Sequence, residues 1–73
     1  EVEELVEKLR SARNRRAEEL GLDRGMLMAN AVVQAVALQA PRDPEALARV
    51  DGIRAWQVEV VGPALLEVLA KRR

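Results

Sequence analysis

The sequence predicts an all-α domain, a compact bundle of about five short helices. Three observations lead there. Ala, Leu, Glu and Arg dominate, and the aromatics that enrich β-strands shrink to one Trp, with Phe and Tyr both at zero. Apolar residues recur at helical spacing through most of the chain. Gly and Pro stand between those segments rather than within them. Seventy-three residues make one domain, 1–73, near the lower limit for a self-sufficient core. That core must come from Leu, Val, Ala and Met around a single Trp, so a thin stability margin is expected.

Glu1 to Leu20 reads as the first helix, with Val2, Leu5, Val6, Leu9, Ala12 and Leu20 on its apolar arc. Acids lie at its start (Glu1, Glu3, Glu4, Glu7) and cations further on (Arg13, Arg15, Arg16), an order that suits the helix dipole. Gly21 reads as its C-cap. Leu22 to Ala29 reads as a loop with Gly21 and Gly25 as breakers and Met26, Leu27 and Met28 as apolar anchors. Asn30 is taken as the N-cap of a second helix reaching about Gln39, with Val33, Val36 and Ala37 inward. Because Val32, Leu38 and several alanines make it apolar nearly all round, it is expected to be the most enclosed element. Pro41 ends it. Asp43-Pro44-Glu45 is a strong start signal for a short third helix to about Arg49 or Val50, burying Leu47 and Val50. Asp51-Gly52 breaks that helix, and a fourth runs from Arg54 or Ala55 to Gly62-Pro63. Pro63 cannot donate the backbone bond a continuous helix needs, which predicts a break and a final helix with Leu65, Leu66 and Leu69 inward.

Composition excludes several kinds of chemistry. Lys and Arg total 12, as do Asp and Glu, so the formal net charge is zero; this argues against a strongly basic nucleic-acid clamp but allows a local patch. With no Cys and no His, disulfides, ordinary zinc sites and a His-based relay are out. Ser11 is the only serine and threonine is absent, so no nucleophile–base set can be assembled. Adjacent acids such as Glu18-Glu19 or Glu3-Glu4 diverge on a helix and make poor acid/base or metal pairs. No catalysis within this chain, no cofactor and no metal is expected. No apolar run approaches the ~20 residues of a membrane span, and no signal-peptide pattern is present, so the expectation is a cytoplasmic domain, a piece of a longer protein.

In this order the chain resembles the HRDC family, the helicase-and-RNase-D C-terminal module. Leu9-Arg10 with Arg13 and Ala17 resembles the family's first-helix pattern. Pro41 followed by Leu47, Val50 and Gly52-Ile53 resembles its third helix and glycine turn. Val61-Gly62 with Leu65, Leu66 and Leu69 resembles its final apolar helix. The likeness covers nearly the whole chain. Four positions depart from the pattern: Ala12 stands where an aromatic is common, Leu22-Asp23 where proline often follows the glycine, Arg54 in place of a second turn glycine, and Val61 in place of Tyr or Phe. The missing aromatics weaken base stacking. The Gly-Ile-Arg-Ala-Trp-Gln stretch is nearer to RNase D-like members, while a divergent repeat of a RecQ-type helicase also fits.

The resemblance implies a non-catalytic accessory domain that places a RecQ-type helicase or RNase D-like exonuclease on its substrate. Weak contact with single-stranded or structured DNA, or with RNA, is implied, together with an intramolecular contact to the parent's catalytic core, a monomeric state and no membrane. The phosphate contacts to expect are Arg10, Arg13, Arg54 and Arg72, with Arg16 and Lys71 behind them. The alternative is a protein–protein or interdomain module with little direct nucleic-acid binding.

Each candidate has two readings. On a helix wheel at about 100° per residue, Arg13 and Arg16 fall inside the apolar arc while Arg10, Lys8 and Arg15 sit on its shoulders. Arg13 and Arg16 thus either lay their stems on the core edge and pair with carboxylates or helix-end carbonyls, or reach out to phosphate. The turn Gly52, Ile53, Arg54 and Ala55 either aims backbone amides and the Arg54 cation at phosphate, with Asp51 opposing, or simply packs two helices. Trp56 is read as the plug of the core, the other reading being an exposed stacking platform.

Overall fold

In a computed structural model the described residues, 2–71, form six helices: α1 (Val2–Leu20), α2 (Arg24–Leu27), α3 (Asn30–Gln39), α4 (Pro44–Ala48), α5 (Ala55–Val60) and α6 (Gly62–Lys71). α1 is the beam of the structure and contacts α2, α3 and α6, while α4, α5 and α6 pack on one another. The centre is filled by Leu9, Leu27, Met28, Val33, Val36, Leu47, Val61 and Leu65, all sealed from solvent. This fully buried centre contains no aromatic side chain.

α1 ends as expected at Gly21. The Gly21 N–H donates to the Glu18 carbonyl (3.2 Å) and the Leu22 N–H to the Ala17 carbonyl (2.9 Å), a paired closure that requires the left-handed backbone of Gly21, φ 69°. The buried face of α1 is Leu5, Leu9, Arg13 and Ala17; Val2 and Leu20 lie outside it.

The segment expected as a loop contains α2. The Asp23 carboxylate accepts from Gly25 N–H at 2.7 Å and its carbonyl accepts from Met26 and Leu27, so Asp23 starts a one-turn helix that includes Gly25. A single turn has too few residues to show periodicity. Of the three expected anchors, Leu27 and Met28 are buried, whereas Met26 points outward with 75% exposure.

α3 is capped one residue earlier than expected. The Ala29 carbonyl accepts from Val32 and Val33, so Asn30 is the first helical residue and its side chain makes no cap bond. Val33, Val36 and Ala37 face inward, three buried residues out of ten, but the enclosure is not all round: Leu38 is 68% exposed. The left-handed Ala40 closes this helix before Pro41. α4 begins as expected, with the Asp43 carboxylate on Ala46 N–H at 2.8 Å and Pro44 in the first turn. Leu47 and Val50 are buried. The interruption expected near Pro63 falls at Val61, between α5 and α6.

Candidate nucleic-acid interface

Two arginines of α1, one turn apart, serve the ends of other helices. Arg13 lies in the buried stripe with 4% exposure. Its Nη1 donates to the Met28 carbonyl, which closes α2, and its Nε to Asn14 Oδ1 at 2.9 Å. Burial, reinforced by the nearby charges of Arg10 and Arg24 and opposed by Asp23, lowers the Arg13 pKa. The guanidinium nevertheless keeps its proton at any accessible pH. Arg16 sends Nε to the Val60 carbonyl at 2.8 Å, the last residue of α5, and Nη1 to Glu19 Oε1 at 3.0 Å. In an unbroken helix the Ala64 N–H would take that carbonyl; at the break Arg16 takes it instead. A cation at a helix C-terminus is favoured by the dipole as well as by the hydrogen bond. The expectation of Arg13 as a phosphate contact is therefore corrected: its charge is spent inside the fold.

The turn at 51–55 is also largely occupied with itself. Gly52 has φ 86°, and a Cβ there would stand 3.2 Å from Val32 Cγ2, so both conformation and space call for glycine. The Ile53 N–H donates to the Val50 carbonyl at 3.2 Å. The Arg54 N–H donates to Gln57 Oε1 at 2.7 Å, and Gln57 Nε2 donates onward to the Leu27 carbonyl at 2.9 Å. Two of the four amides expected to face phosphate thus have internal partners. What the turn offers outward is the Arg54 side chain, the bare backbone of Gly52 and the small Ala55, with the Asp51 carboxylate alongside.

Trp56 is not the core plug. It is 43% exposed, while its neighbour Gln57 is 6% exposed. Gln57 and Val61, four residues apart, set the inward face of this stretch, and Trp56 is rotated about 100° from Gln57. The glutamine wins the inward position because it alone satisfies both the Leu27 carbonyl and the Arg54 amide.

The remaining candidates scatter. Arg10 is half-exposed on α1, with Glu7 3.8 Å away. Lys71 ends α6 with Glu67 at 3.5 Å. Arg16 and Lys71 line the same groove between α1 and α6, which also takes in Lys8 and Arg15. Arg72 lies outside the described residues. Neither this groove nor the exposure of Trp56 follows from the sequence reading, although Lys8, Ala12 and Arg15 stand at the spacing of one helix face.

Together these features define an all-helical domain whose surface mixes cations and carboxylates and shows one aromatic, Trp56. Among the described residues, no cluster of three or more acidic side chains is placed to hold a metal ion, and no helix is long and apolar enough to cross a membrane. A model of the HRDC domain matches residues 2–69, and the chain belongs to that family, whose members are accessory, non-catalytic domains of helicases and RNase D. No curated protein and no solved structure matches the chain.

Proposed function

We propose that the domain binds nucleic acid weakly and so positions a parent RecQ-type helicase or RNase D-like exonuclease on single-stranded or structured DNA, or on RNA. The observation that carries this reading is the exposed Trp56 beside the exposed Arg54 at the start of α5. Arg54 contacts a phosphate, the Gly52 backbone leaves room for the strand to approach, and the Trp56 indole stacks on the adjoining base. Arg10 and Lys71 add more distant phosphate contacts, and Arg72 is retained as a further candidate from the sequence. One aromatic, a turn cation opposed by Asp51 and a net charge of zero all support weak rather than tight binding. The lack of cysteine is consistent with action in the cytoplasm.

Fluorescence anisotropy with single-stranded, forked and duplex oligonucleotides at low salt tests this reading. Arg54→Ala is expected to weaken binding and to lower the slope of log affinity against log salt by about 1. Trp56→Ala is expected to cost about 1–3 kcal/mol of binding and to leave the slope unchanged. No binding at high micromolar concentration refutes direct contact. Binding untouched by both substitutions refutes this placement.

A further inference from the structure

The groove between α1 and α6 has a volume of about 580 Å³ and a character unlike the turn. Ala12, Ala64 and Val68, all part-buried, give it a small apolar lining. Lys8, Arg15, Arg16 and Lys71 stand around that lining. Two carboxylates are interspersed, Glu19 at 3.0 Å from Arg16 and Glu67 at 3.5 Å from Lys71. Among the described residues, Lys8 and Arg15 make no ion pair. The groove thus holds four cations against two carboxylates, an excess of +2 on a chain whose total charge is zero.

We infer that this groove docks an acidic amphipathic segment of a protein partner. An aliphatic side chain of the segment enters against Ala12, Ala64 and Val68, and its flanking carboxylates meet Lys8 and Arg15. Charge complementarity selects an acidic partner, and the size suits one or two aliphatic side chains. The lining decides against nucleic acid: it contains no aromatic on which a base could stack, and methyl groups satisfy none of a base's polar edges. Lys71 stands at the margin of both sites, but the peptide contacts proposed at Lys8 and Arg15 are independent of Arg54 and Trp56, which carry the nucleic-acid reading.

The test titrates the isotopically labelled 73-residue chain with a short synthetic peptide rich in Glu and carrying two leucines, followed by NMR. Saturable shifts of the Ala12, Ala64 and Val68 methyls are expected. The double variant Lys8→Glu with Arg15→Glu is expected to weaken the peptide by at least about ten-fold. Both side chains are exposed, so the variant should keep the native helical circular dichroism. Trp56→Ala should leave peptide affinity unchanged. The inference is overturned if no methyl shifts at millimolar peptide, or if a control with the leucines replaced by serine binds equally well. It is likewise overturned if an oligonucleotide, rather than the peptide, shifts these methyls.

Discussion

Gln57 offers the sharpest test of how the domain is held together. Its side chain is almost completely buried and bridges the Leu27 carbonyl at 2.9 Å and the Arg54 amide at 2.7 Å. In Gln57→Leu the Leu27 carbonyl, on a residue with no exposure, loses its side-chain donor, at a cost of about 1–3 kcal/mol. The Arg54 amide belongs to an exposed residue, so water replaces its partner cheaply, and the added methyls recover about 1 kcal/mol. The net loss is about 0–2 kcal/mol, which lowers Tm by up to about 16 °C in a domain of this size. Gln57→Glu keeps the shape but sets a carboxylate against a carbonyl oxygen, and near neutral pH it should cost about 3 kcal/mol or more. The introduced carboxyl can donate to the Leu27 carbonyl only when protonated, so its pKa in the folded state lies above the unfolded value of about 4.3. Its favourable contribution is therefore fully present below the unfolded pKa and is lost as pH rises through the folded one. Urea denaturation of both variants and the parent chain between roughly pH 4 and 7 reads this out: the gap between Gln57→Glu and Gln57→Leu should narrow on acidification. A gap independent of pH would refute the bridging role.

Other substitutions follow from single contacts. Gly52→Ala combines φ 86° with a Cβ 3.2 Å from Val32 Cγ2, whereas Gly21→Ala at φ 69° meets nothing within 4 Å. Both should destabilise by about 1 kcal/mol or more, with Gly52→Ala the costlier in thermal melts. Asp43→Ala removes the cap on Ala46 N–H and should cost about 1 kcal/mol in urea denaturation. Arg13→Lys retains the charge but cannot span both the Met28 carbonyl and Asn14 with a planar fork, so a loss of about 1–3 kcal/mol is expected. Arg13 itself is charged at every accessible pH, so it adds no pH dependence of its own to the parent chain between pH 5 and pH 8.

Much of the fold is legible because its punctuation is strong. Gly21, Asp43-Pro44 and Gly62-Pro63 each mark a boundary by a backbone requirement that no tertiary contact overrides. The helix projection also placed Arg13 and Arg16 on the apolar arc, where they indeed cap foreign helix ends. α2 was illegible because four residues carry no period, and Gly25 reads as a breaker although it accommodates a capped turn. Trp56 misled for a different reason. Composition suggests that the largest side chain fills the centre, yet the rotation of α5 is set by the two hydrogen bonds of Gln57. The α1–α6 groove combines residues more than forty positions apart, which helical periodicity does not connect.

The two carbonyl-capping arginines have a consequence for how the domain comes apart. α2 and α5, at four and six residues, are far too short to persist alone in water. Each has an end tied to α1, one through Arg13 and the other through Arg16. Neither can survive the detachment of α1, so the domain should lack a partly folded form that retains either one. Native-state hydrogen exchange should show the Leu27 and Val61 amides opening together with the middle of α1, as one cooperative unit.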